Sequence, residues 1–157
     1  MQTRIIRASS EQLGVVLVLV ERLLAELSDQ GNPSEALDCA GIVPQLIAAS
    51  DRFIAFLALN EEGTPIGVVT LTEAVAVYAG GLYGIISELY VEPAYRSTGI
   101  GRELLKVVHA EARSRGWTRV DVAAPPDSRW DRTFRFYVQN GFVFTGRKLK
   151  YLLTAAG

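Results

Sequence analysis

Apolar residues recur along this chain in two rhythms. Leu13, Leu17, Val20, Leu24 and Leu27 return at helical spacing, which predicts an amphipathic helix. Ser9 opens it with a Ser-x-x-Gln pattern ending at Gln12, in which the two residues satisfy each other's exposed backbone groups. Asp29-Gln30-Gly31-Asn32-Pro33 stops it. Residues 34–50 keep a helical pattern, but Gly41 and Pro44 interrupt it. Thr3–Ala8 ahead of the helix reads as a short strand. From Phe53 the pattern changes. Phe53–Leu59, Pro65–Val77 and Leu82–Val91 read as strands, joined by Glu61-Glu62-Gly63-Thr64 and Ala79-Gly80-Gly81. Connections this short predict an antiparallel meander.

After Pro93 the helical rhythm returns. Ile100, Leu104, Leu105, Val108 and Ala112 mark one face of a helix over 99–115, and Arg102, Lys106, His109 and Arg113 the other. Gly116 stands where a C-terminal cap belongs. Arg119–Ala123 reads as a buried-type strand and Pro125-Pro126-Asp127 as a loop. A short helix runs to Asn140 and Gly141, and Phe142–Leu153 reads as a last strand with a bulge or turn at Gly146. The order predicts a mixed α/β domain, an antiparallel front followed by a β-α-β crossover. Residues 1–157 read as one domain, since the chain contains no linker or repeat.

The junction from Glu88 to Arg102 carries the most chemistry. A strand feeds a short loop, and the loop opens the clearest helix, with Gly99 and Gly101 at its mouth. The first amides of a helix lack intrahelical partners and carry partial positive charge. Glycines let an anion approach them, which is how a pyrophosphate is held without a metal. Arg96 adds a cation at the rim. The same glycines are equally consistent with merely shaping a helix start. A Walker loop does not fit, because Arg102-Glu103 follows Gly101, and a dinucleotide fingerprint would need glycine at Leu104.

Charge sharpens the first of those readings. Residues 1–78 carry four basic and ten acidic side chains, whereas 79–157 carry twelve and seven. An anionic ligand is therefore favoured by the second half and a cationic one by the first. Basic residues interleaved with acidic ones, and a pI of about 5.9, argue against a nucleic-acid module. Cys39 is the only cysteine and His109 the only histidine, which excludes a disulfide within the chain and a zinc site built from those residues. No stretch is long and apolar enough for a membrane span, and Met1–Arg7 lacks a signal-peptide core. The expectation is a cytoplasmic protein that binds no metal, membrane or nucleic acid.

Arg96-x-x-Gly99-x-Gly101 after a strand resembles the acetyl-CoA-binding motif of the GNAT superfamily of N-acetyltransferases. Phe136-Tyr137-Val138-Gln139-Asn140-Gly141-Phe142 is similar to a second motif of that family, a helix-ending Tyr-x-x-x-Gly-Phe. The element order agrees along nearly the whole chain. The resemblance implies a GNAT-like fold, with a central, mostly antiparallel sheet splayed at the acetyl-CoA site and flanked by helices. It implies that the backbone of Leu89, Tyr90 and Val91 receives the pantetheine arm and that the amides of Ser97, Thr98, Gly99, Ile100, Gly101 and Arg102 hold the pyrophosphate. Arg102, Arg129 and Arg132 are candidates for the 3′-phosphate. Many relatives carry Asn seven residues before the tyrosine; Trp130 stands there in this chain.

The implied chemistry is attack of an amine on the acetyl thioester of acetyl-CoA. A lysine-like amine has a pKa of about 10.4, so removing its proton near pH 7 costs roughly 4–5 kcal/mol. A positioned base is the first need. Glu88 is the candidate, against the plainer reading of a half-buried carboxylate paired with a basic neighbour. Tyr137 is the candidate acid for the leaving sulfur, against a core aromatic among Phe134 and Val138. His109 reads as a solvated helix residue, Cys39 and Trp117 as packing residues, and Tyr78, Tyr83 and Tyr90 as strand aromatics that would at most line an acceptor pocket.

The expected enzyme is thus an acetyl-CoA-dependent N-acetyltransferase acting on a primary amine of a small molecule or peptide, with a homodimer possible. The alternative is a non-catalytic acyl-CoA-binding sensor that keeps the loop without turnover.

Overall fold

The computed structural model describes residues 2–28, 40–124, 130–146 and 148–153. They group into two compact units, Met1–Val122 and Ala123–Gly157. The first holds a five-stranded sheet of order β1-β2-β3-β4-β5, formed by β1 (Arg4–Arg7), β2 (Phe53–Leu59), β3 (Pro65–Ala76), β4 (Gly81–Val91) and β5 (Val120–Val122). The first four strands pair antiparallel, and β5 joins β4 in parallel. The mixed, mostly antiparallel sheet expected from the short turns is present.

Helix α1 (Leu13–Ser28) follows a short 3-10 turn at Ser10–Gln12. The Gln12 side chain reaches back to the Ser9 amide at 2.9 Å, as the Ser-x-x-Gln pattern predicts. Val16, Leu19 and Val20 pack with Ala55, Leu57, Leu59, Val68 and Tyr90 into one buried cluster, so α1 covers one face of the sheet. On the other face lies α3 (Ile100–Arg115), whose Ile100, Leu104, Leu105 and Val108 are buried. A methyl group at Gly67, the strand neighbour of Val68, would sit 3.5 Å from Ile100, which places α3 on the side opposite α1. Both faces are covered, and this explains the unbroken apolar runs Phe53–Leu59 and Ile66–Val69. In the interrupted segment, a short helix α2 (Val43–Ala48) begins with Pro44 in its first turn; residues 34–39 lie outside the described residues.

α3 ends at Gly116, held at φ 71°. The Trp117 amide returns to the Ala112 carbonyl at 2.9 Å and that of Gly116 to Arg113 at 3.3 Å, a Schellman motif. It turns the chain back toward β5 and puts Trp117 over β4.

The second unit contains α4 (Asp131–Gln139). The strand expected over Phe142–Leu153 is not formed among the described residues there, residues 142–146 and 148–153. Val143, Phe144, Leu149, Tyr151 and Leu153 are exposed. Apolar composition favours an extended chain, but a strand exists only through a partner, and no ladder bonds form here. No helix among the described residues is long and apolar enough to cross a membrane.

Candidate active site

Among the described residues the sheet is open where β4 ends. β3 flanks β4 throughout, but β5 pairs only with Gly84, Ile85 and Ile86. Past Ile86 no described strand occupies the outer edge. The β3 register also breaks here: Leu71 stands opposite Ile86 and Thr70 opposite Glu88, so Ser87 is an extra residue, a bulge. The Glu88 amide donates to Thr70 Oγ1 at 3.0 Å and that of Glu92 to the Ile66 carbonyl at 2.8 Å. Both point toward β3, so alternation turns the backbone groups of Leu89 and Val91 outward. Tyr90, between them, sits opposite Val68 with its ring in the core. Its hydroxyl pKa is raised, first by burial and then by the Glu92 carboxylate.

The loop that follows is braced by Arg96. Its Nε donates to the outward Val91 carbonyl at 2.9 Å, an Nη to Glu26 at 2.6 Å, and the guanidinium lies 5.4 Å from the Tyr90 ring centroid. The expected rim cation is thus also a clamp joining loop, strand and α1. Arg22 and Glu92 form a second ion pair between α1 and the loop. Ser97 holds φ 62°, a left-handed conformation that costs a non-glycine residue about 1–3 kcal/mol. The Thr98 hydroxyl donates to the Tyr95 carbonyl. Gly99, at φ 91°, is the N-cap of α3, and a Cβ there would meet no atom within 4 Å. The amide of Glu103 reaches the Gly99 carbonyl at 3.0 Å, so those of Ile100, Gly101 and Arg102 precede the helical ladder. Ile100 is anchored in the core, while Arg102 is exposed. Open space at Gly99, next to amides that precede the ladder, suits a diphosphate.

Glu88 is partly buried. Opposite Thr70 and two residues from Tyr90, its side chain lies on the α1 face. Its partner is the buried Thr70 hydroxyl, which donates to Oε2. Among the described ion pairs none includes Glu88.

Tyr137 belongs to the second unit and is 7% exposed. The Phe142 amide returns to the Tyr137 carbonyl at 3.0 Å and that of Gly141 to Val138 at 3.1 Å, with Gly141 at φ 92°. This is again a Schellman motif, and it explains the Tyr-x-x-x-Gly-Phe spacing: the glycine supplies the turn and Phe142 folds back on Tyr137, ring centroids 5.3 Å apart. Phe136 flanks Tyr137 at the same distance, 5.3 Å. Burial pushes the Tyr137 hydroxyl up to about 12, so it keeps its proton throughout the neutral range.

Tyr78 and Tyr83 lie at the hairpin end of β4, away from the loop. Their hydroxyls are 3.0 Å apart, and Arg119 sits 4.9 Å from the Tyr78 ring centroid. His109 is partly buried on α3, and Trp130 precedes α4. Cys39 and Arg129 lie outside the described residues, and Arg132 is exposed on α4. No cluster of three or more potential metal ligands occurs among the described residues. Sequence reasoning missed Thr70, the pairing of Glu26 with Arg96 and the left-handed conformation of Ser97. Each acts through a contact or conformation that residue type alone does not signal.

Residues 51–144 match the family model of the acetyltransferase (GNAT) domain. The chain is 34% identical over 101 residues to a protein named IAA acetyltransferase from Azospirillum brasilense, covering 64% of this chain and 60% of that one. This chain thus spans less than two thirds of that relative's length. Among solved structures, an aminoglycoside acetyltransferase from an uncultured soil metagenomic sample superposes with a TM-score of 0.78 at 19% identity, covering 98% of this chain and 100% of the other. A predicted acetyltransferase from Clostridium acetobutylicum, solved with acetyl-CoA, gives 0.75 at 18%, with 96% of each chain covered.

Proposed function

The chain belongs to the GNAT family of acetyltransferases, and from that premise we propose that it transfers an acetyl group from acetyl-CoA to a primary amine of a small molecule or peptide. One observation carries the reading: past Ile86 the outer edge of β4 has no described strand beside it, and the loop that follows β4 leads to the unladdered amides that begin α3. An extended pantetheine arm lies along such an edge as an added strand, and a diphosphate caps such a helix. The soil-sample neighbour is named for acetylation of aminoglycosides, which are amines, and the Clostridium neighbour was solved with acetyl-CoA. Both names support the reading.

In the proposed reaction the amine nitrogen attacks the thioester carbon, the C–N bond forms and the C–S bond breaks. Glu88, directly or through a water, accepts the amine proton. The outward Leu89 amide faces the thioester oxygen and stabilises its developing charge. Tyr137 donates a hydrogen bond to the leaving sulfur. As the candidate acid it enters the reaction protonated, since burial raises its pKa. Tyr137→Phe is therefore expected to lower turnover about tenfold and leave acetyl-CoA affinity within about twofold. An unchanged rate removes the role.

The reaction is tested by thiol release from acetyl-CoA with a panel of sisomicin, spermidine and free amino acids. Amine-dependent release is expected, and acetyl-CoA should raise the melting temperature more than ATP or NAD does. Gly101→Glu, which sets a carboxylate against the diphosphate, should weaken acetyl-CoA binding roughly 100-fold while leaving a well-formed helix. Tight binding without release across the panel would favour the sensor. A larger shift with ATP would overturn both.

A further inference from the structure

Thr70 is 1% exposed in the otherwise apolar run Ile66–Leu71 and, tyrosines and tryptophan aside, is the one buried polar residue among the described residues. Burying a hydroxyl is unfavourable unless its hydrogen bonds are met. Here both are met by a single residue. Oγ1 accepts the Glu88 amide at 3.0 Å, and the O–H donates to Glu88 Oε2. The position explains why a hydroxyl is wanted. The β3–β4 ladder skips Ser87 next to this pair, and at the break the side chain supplies an acceptor for the Glu88 amide. A valine would fill the same space and supply neither bond.

The second bond has a consequence for chemistry. With Oε2 held by the hydroxyl, Oε1 is, among the described contacts, the carboxylate oxygen left for a substrate proton. The bulge turns Leu89 to the open edge, and the hydroxyl fixes Glu88, its strand neighbour, on the α1 face. Strand geometry and side-chain orientation are thus set by the same residue.

We propose that Thr70 is a positioning residue that holds the Glu88 carboxylate in place beside the open edge of β4. The proposal rests on Glu88 as the proton acceptor, and the test separates the two. Thr70→Val, Thr70→Ser, Glu88→Gln and the Thr70→Val/Glu88→Gln pair are compared for acetyl-CoA affinity, for kcat with the panel amine turned over fastest, and by crystallography. Thr70→Ala, whose smaller side chain admits a water, serves if the valine variant does not fold.

Thr70→Val should leave acetyl-CoA affinity within about twofold and lower kcat roughly tenfold or more, with Thr70→Ser close to the parent. The double variant should be no slower than Glu88→Gln, because the threonine acts through the glutamate. In the Thr70→Val crystal the Glu88 carboxylate should leave its parental position. An unmoved carboxylate, a loss of acetyl-CoA affinity as large as the loss of kcat, or a further loss in the Glu88→Gln background would overturn the proposal. Full turnover by Glu88→Gln, or no turnover of any panel amine, would remove the base role instead; the carboxylate position in Thr70→Val crystals would still decide whether Thr70 positions it.

Discussion

Glu88→Gln should lower amine turnover by roughly 10²–10⁴-fold while acetyl-CoA affinity stays within about twofold. The size follows from the amine. At pH 7 roughly one molecule in 2,500 of a lysine-like amine is unprotonated. An enzyme that must wait for that fraction forfeits about 4–5 kcal/mol, and a positioned carboxylate recovers part of it by taking the proton as the C–N bond forms. Glutamine keeps the shape and can still accept the Thr70 hydroxyl, so the bulge and the open edge survive. The pH dependence gives an independent check. As pH rises toward 10 the free amine becomes abundant and the base matters less, so the deficit should shrink with pH. Thiol release between pH 6 and 9.5 measures both. A deficit constant over that range, or a loss of acetyl-CoA affinity that accounts for the whole effect, would mean that Glu88 does not take the proton.

The same region shows what could be read from the chain and what could not. β2 falls on Phe53–Leu59 as predicted, because short turns at Glu61–Thr64 and Ala79–Gly81 leave little freedom in how the strands pair. The start of α3 at Gly99-Ile100 is legible because a glycine before an apolar helical repeat has few other uses. The bulge at Ser87 is not legible. It depends on which residue of β3 stands opposite, and Thr70 in an apolar run reads as an ordinary β-branched strand residue. Arg96 is legible as a charge, but its clamp on Glu26 joins residues 70 positions apart and exists only once α1 lies on the sheet. Phe142–Leu153 failed for the opposite reason: its composition is that of a strand, but pairing is a property of two segments.

Gly84→Ala should unfold the chain at a temperature lower by roughly 6–12 °C, since about 3 kcal/mol is at stake and a chain of this size loses roughly 2–4 °C per kcal/mol. A Cβ at Gly84 would lie 2.1 Å and 2.4 Å from two ring carbons of Trp117, far inside contact distance. Neither side can yield easily. The Gly84 amide is bonded to the Arg119 carbonyl at 3.0 Å. The Trp117 amide is held by the Schellman turn, and its indole Nε1 donates to Glu73 Oε2 at 2.7 Å, where Arg115 also binds. Accommodating one methyl means displacing a ring that is 8% exposed, whose complete truncation to alanine would itself cost about 3–5 kcal/mol. The check is a double-mutant cycle. In a Trp117→Ala background the clash partner is gone, and Gly84→Ala should cost under about 0.5 kcal/mol. Equal costs in both backgrounds would mean that Gly84 is needed for its backbone and not for the ring. The contact also bears on the site. It pins β4 against the start of β5 at Gly84, three residues before Ser87, so the point where the two strands part is set by a glycine and a tryptophan that touch no reacting atom.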